Sequence, residues 1–167
     1  KCNTDDLKKL LLAKSWIPEF IAAVEFLPIG VSISYATSDE KIFPVIYVNE
    51  YFEKISGKKC EMLLGKPGAF LQTYYTLRIC NQKMLIDSLI TCSKSINFSK
   101  VINITCGKHS GELFRNIIGV KSLVGNHLKD RVEYIITIQH PCIKNENVSY
   151  WVDIIETLLT QLPSSIN

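Results

Sequence analysis

The side chains able to do chemistry are scattered along this chain. Six cysteines (Cys2, Cys60, Cys80, Cys92, Cys106 and Cys142) stand singly, with no Cys-x-x-Cys pair and no histidine at finger spacing, so no zinc site is expected. Isolated cysteines in an apolar domain read as small core or surface residues of a reducing compartment, and a cytoplasmic location is expected. The three histidines fall in a turn (His109), a loop (His127) and at a strand end (His140). No Gly-x-Ser-x-Gly, His-Glu-x-x-His or phosphate-loop motif occurs, and the carboxylates lie on turns and helix surfaces. Those motifs place nucleophiles, metal ligands or phosphate cradles, so no enzyme is expected. Sequons at Asn97, Asn103 and Asn147 would matter in a secreted chain, yet no signal peptide is visible. With Lys1 rather than Met at its start, the chain is expected to be a fragment.

Whatever those residues do, one ordinary domain must position them. The chain has 167 residues, 47% hydrophobic and 21% charged, enough to bury a sizeable core. Its net charge of +3 is small and scattered, which argues against nucleic acid and anionic membrane as partners. No apolar run reaches the roughly 18 to 20 residues of a membrane span.

Residues 4–27 read as two helical segments. Thr4, Asp5 and Asp6 open the first, and Ser15 precedes the second, whose stripe of Phe20, Ile21, Ala23, Val24 and Leu27 is closed by Pro28. Ile29 to Ala36 alternates apolar and small residues, as a half-buried strand does. The polar turn 37–41 leads through Pro44 into a second strand, Val45 to Val48. Asn49 follows as a helix N-cap, Phe52 and Ile55 share a helix face, and Gly57 suits a left-handed C-cap. A second short helix carries Met62, Leu63 and Leu64 and ends at Gly65. After an undetermined connection over 73–80, Asn81 or Gln82 opens a helix to about Thr91, with Met84, Leu85, Ile86, Leu89 and Ile90 inward. Strands over 96–105, 113–123 and 132–139 follow, separated by turns.

The strand, helix, helix order around Val45 to Gln72 resembles the opening of a PAS domain. Gly65-Lys66-Pro67-Gly68-Ala69-Phe70-Leu71-Gln72 narrows the resemblance to the LOV subfamily of flavin photosensors, whose motif is Gly-x-Asn-Cys-Arg-Phe-Leu-Gln. The resemblance implies an α+β fold: a five-stranded antiparallel sheet with helices on one face and flanking N- and C-terminal helices. The expected division is cap helices over 1–28, a core over 29–141 and a flanking helix over 142–167. The frame is kept, and the chemistry is not. Gly68 stands at the adduct-forming cysteine, Pro67 at the ribityl asparagine and Ala69 at the phosphate arginine, so no adduct can form there and the phosphate loses a charged partner. A second phosphate arginine is replaced by Asp87 or a close neighbour, unless Arg78 folds back.

Two of the family's ring-contacting amides survive by this alignment. Gly111-Glu112-Leu113-Phe114-Arg115-Asn116 resembles Asp-Gly-x-x-Phe-x-Asn and makes Asn116 the flavin-facing asparagine; Ile138-Gln139 resembles the strand-final Ile-Gln. A third amide falls at Cys106 in a gapless match, or at Asn103 with three residues inserted. If a flavin were retained, Asn116, Gln139, Asn103, Phe70 and Gln72 would line it. No cofactor is expected, with FMN the one candidate. No histidine lies where haem-binding PAS domains place their ligand.

Alternation in the last strand puts Ile135, Thr137 and Gln139 on the pocket side, leaving Tyr134, Ile136 and Ile138 on an equally apolar outer face. A solvated face would read polar there, so something covers it. The terminal segment puts Trp151, Ile154, Ile155, Leu158 and Leu162 on one helical stripe, which must lie on the sheet, on the N-terminal helices or on a second copy. A homodimer is expected through Tyr134, Ile136, Ile138, Trp151, Ile154, Ile155 and Leu158. The function expected is a LOV-like PAS regulatory module of a larger signalling protein, acting by dimerisation or protein–protein interaction. The alternative is a flavin or other small-ligand sensor of light or redox state working without the cysteine.

Overall fold

Short β-branched runs punctuated by capping residues set the order of elements. A computed structural model of the chain describes residues 16–36, 43–67, 80–107, 113–125, 131–142 and 146–165. The elements are α1 (Trp16–Val24), β1 (Gly30–Tyr35), β2 (Val45–Val48), α2 (Glu50–Ser56), α3 (Cys60–Leu63), α4 (Cys80–Lys94), β3 (Ser99–Gly107), β4 (Leu113–Val124), β5 (Val132–Cys142) and α5 (Val148–Gln161). The five strands form one antiparallel sheet, as expected, and their order is β2-β1-β5-β4-β3. The first N-terminal segment and the turns at 37–41 and 108–111 lie outside the described residues.

Asn49 ties the N-terminal half together. Its Oδ1 accepts from the backbone of Phe52, capping α2, and from that of Val31 in β1. Its Nδ2 donates to the carbonyls of Val24 and Ile29. Gly57 and Gly65 take the left-handed conformation that ends their turns without strain on a Cβ.

The sheet is covered on both sides. On the inner side, Leu85, Leu89 and Cys92 of α4 pack with Ile102, Ile104, Ile118, Val120 and Ile135. On the outer side, Ile17 and Val24 of α1 and Ile155 and Leu159 of α5 pack with Val31, Ile33, Ile117, Tyr134, Ile136 and Ile138. β1 is therefore buried along both edges of its alternation except at Tyr35, rather than half-buried, because its serines face the inner helices while its branched residues face α1.

Several expected boundaries move. α1 stops at Val24, and Ala23, Phe26 and Leu27 are exposed, because the Val24 carbonyl is taken by Asn49 and Pro28 disfavours helical backbone at the residue before it. α4 runs on to Lys94 and buries Ser88 and Cys92 in place of Met84, which is exposed. β3 begins only at Ser99, since Asn97 takes a left-handed conformation (φ 62°) that turns the chain. β5 continues past Gln139 to Cys142, pairing Pro141 with Asn116. In α5 the buried line is Ile155 and Leu159, flanked by Val148, Trp151, Val152, Leu158 and Leu162, so the stripe is rotated from the expected one and Ile154 sits at its margin. Among the described residues no helix is long and apolar enough to cross a membrane.

Candidate functional site

The inner face carries two polar pairs, each joining β5 to a neighbouring strand. Nδ2 of Asn116 on β4 donates to Oε1 of Gln139 on β5 at 2.7 Å, and both residues are buried. The hydroxyls of Ser32 on β1 and Thr137 on β5 share a 2.6 Å hydrogen bond. Gln139 can lie back against β1 because it faces Gly30 in the register: a Cβ there would sit 2.8 Å from Cγ of Gln139 and 3.0 Å from Cδ1 of Ile55. Around them the face is mostly apolar, with Phe43 and the aliphatic residues of β3, β4 and α4, and burial pushes the Cys92 thiol far above its ordinary range, which disfavours the reactive thiolate.

His140 follows Gln139 directly and therefore points to the opposite face. There its ring stacks on Trp151 of α5, with centroids 3.5 Å apart and planes 15° from parallel. Nε2 lies 3.2 Å from Oε2 of Glu146, just ahead of α5, and Nδ1 is buried without a hydrogen-bond partner among the described residues. Burial pulls the imidazole pKa below its ordinary value, and Glu146 opposes that effect.

The other end of α5 is held by Lys121. This β4 lysine is buried, and its Nζ donates to the carbonyls of Leu159 (2.6 Å) and Leu162 (2.5 Å). Those carbonyls belong to the last turn of a helix, where no further backbone amide is available to them. Burial lowers the lysine pKa. Between the two ends the helix presses on Gly119, where a Cβ would fall 2.5 Å from Cγ2 of Ile155 and 2.9 Å from Cδ1 of Leu159. One continuous joint thus runs along the outer face from His140 to Lys121.

No protein-family model matches the chain, and no curated protein matches it. Solved structures do. A LOV protein from Rhodobacter sphaeroides superposes with a TM-score of 0.64 at 17% identity, over 83% of this chain and 73% of that one. The LOV domain of a blue-light activated histidine kinase from Erythrobacter litoralis gives 0.54 at 23% identity, over 69% and 96%. An RNA-binding light-oxygen-voltage receptor gives 0.60 at 20% identity, over 89% of this chain and 38% of that one. The fold is that of LOV domains.

Within the LOV frame, the structure brings together Asn116 and Gln139 and separates Asn103 from them. Asn103 pairs with Ile117, an outer-face residue, and the β3 residue opposite Asn116 is the aliphatic Ile104. Asn103 therefore does not supply a third amide on the inner side. Phe70 and Gln72, like Gly68, Ala69 and Arg78, lie outside the described residues, and Asp87 is exposed on α4. Tyr134, Ile136, Ile138 and Ile155 are buried under α1 and α5 within a single chain, while Trp151, Ile154 and Leu158 are half-buried. α5 thus covers the sheet of its own chain.

The inner face fits a flavin poorly. Its two surviving amides are bonded to each other, so a ring edge would have to open that pair, and aliphatic side chains of α4 close over the sheet. His140 and Lys121 escaped the sequence reading. The signal for His140 was its place next to an inward Gln139; for Lys121 it was a lone charge inside the apolar run Ile117 to Val124.

Proposed function

We propose that this chain is a non-catalytic, LOV-type regulatory module of a larger signalling protein, with α5 as its output and no adduct photochemistry. One observation carries the reading: consecutive residues of β5 serve both faces, Gln139 holding Asn116 inside and His140 holding Trp151 outside. A strand that shifts to suit the inner face must disturb the helix joint. The sequence supplies the rest, with Gly68, Pro67 and Ala69 at the positions of cysteine, asparagine and arginine in the LOV motif. Flavin enters no step of this reading. The similar structures, the LOV domain of a blue-light activated histidine kinase and an RNA-binding receptor, support a module that controls something attached to it.

For self-association we propose the outward surfaces of the flanking helices, where Phe26 and Leu27 after α1 and Tyr150 on α5 are exposed. Native mass spectrometry checks this: a dimer that Phe26→Asp splits supports it, and a monomer at all concentrations overturns it.

A second reading, a light or redox sensor that holds flavin without the cysteine, draws on the retained Asn116 and Gln139. The two part by colour. After reconstitution with FMN, the first reading expects a colourless protein; absorbance near about 450 nm, the oxidised-flavin band, would hand the case to the second.

A further inference from the structure

We propose that His140 is an acid-sensitive latch on α5: the neutral ring seats Trp151 and holds the helix on the sheet, and protonation releases it. The stack itself is the seat, with ring planes 15° from parallel at a centroid separation of 3.5 Å. In the neutral ring, Nε2 carries the hydrogen and donates to Glu146, leaving Nδ1 as a bare acceptor. Protonation turns Nδ1 into a buried donor with no acceptor among the described residues. A buried, unmatched charged donor is costly in a way that exposure to water relieves. The simplest route to water is separation of α5 from β5.

The groups around His140 leave that imbalance in place. From β4 its register partner is the aliphatic Ile117, and the nearest cation there, Arg115, is exposed and pairs with Cys142 instead. From α5 it meets Trp151, against which Tyr150 packs edge-on, while Asp153 points outward. β1 contributes Val31 and Ile33 to this face. Glu146 alone favours the charged ring, through one nitrogen, at 3.2 Å, from a carboxylate 30% exposed and so partly screened. Burial outweighs it, consistent with the lowered pKa of the ring.

The sign is fixed by that direction. A histidine whose folded pKa is depressed contributes its stability above the ordinary value near about 6.5, and loses it as pH falls from there toward the folded value. Acid therefore loosens α5. The biological meaning rests on α5 being the output; a latch that failed would leave that reading intact, since ligand- or partner-driven release is measured at constant pH.

The test is hydrogen exchange on the full chain, following α5 amides relative to α4 amides after correction for intrinsic exchange. Lowering the pH from about 7.5 to about 5.5 should raise the relative opening of α5 severalfold, with about tenfold as the ceiling set by an exposed ring titrating at about 6.5. His140→Phe, which keeps a ring on Trp151 but cannot titrate, should flatten the response, and Glu146→Gln should enlarge it. Unchanged α5 protection at the lower pH overturns the latch, as does a His140→Phe protein that responds like the parent. Should that variant not fold, an NMR titration of the parent decides: a ring pKa below the ordinary value supports the latch, and one at or above it sinks it.

Discussion

The two faces of the sheet handle their polar groups differently. On the inner face, Ser32 with Thr137 and Asn116 with Gln139 bond strand to strand. On the outer face, His140 and Lys121 reach off the sheet to the two ends of α5. A buried polar group must find its partner, and where the partner lies decides what is fastened. The inner pairs stiffen the sheet, whereas the outer ones fasten a helix to it. β5 contributes to both.

Three measurements would break or sharpen that contrast. The largest effects should come from removing one aliphatic side chain on each side. Ile118→Ala and Ile155→Ala should each destabilise by roughly 3 kcal/mol, the usual range for emptying a buried aliphatic site. Ile118→Ala should lower protection of the whole sheet, whereas Ile155→Ala should strip α5 first; equal patterns in hydrogen exchange would erase the distinction between the faces. Next, Asn116→Leu should cost about 2 kcal/mol by leaving the Gln139 carbonyl buried without its donor. The double variant Asn116→Leu with Gln139→Leu should recover part of that loss in denaturant unfolding, since the two bonded amides are then removed together. The smallest is Lys121→Met, which should fray the last turn of α5 by about 1 kcal/mol as two carbonyls lose their donor. It also carries a pH signature. Because burial lowers the lysine pKa, the folded state sheds its proton before the unfolded one does, so the parent should gain stability over Lys121→Met as the pH rises toward about 10.5.

Much of the scaffold was legible because local rules agree with the global fold. A β-branched run ending in Asn49, glycines at Gly57 and Gly65, and alternation in β5 each place backbone without reference to distant residues. What escaped depended on tertiary phase. In α5, Leu158 and Leu159 are adjacent and equally apolar, so the sequence allows two stripes about 100° apart, and packing on the outer face, with Ile155 and Leu159 over Gly119, selects the one through Leu159. In β3, Asn103 and Cys106 are an odd number of residues apart and must face opposite ways, so the alignment alternatives were also alternatives of face. Pairing with Ile117 puts Asn103 outside. Lys121 and His140 were invisible for a related reason, since their partners are two helix-end carbonyls and a tryptophan ring that sequence spacing cannot bring to them.

Asn49 offers one acceptor atom to two amides and one amino group to two carbonyls, all between 2.9 and 3.0 Å. Aspartate has the same outline but would set a negative oxygen against both carbonyls; serine is too short to span them, and glutamine carries an extra methylene into a fully enclosed space. None of these three can therefore make the same four bonds. Anyone redesigning this part of the domain should leave that one amide alone.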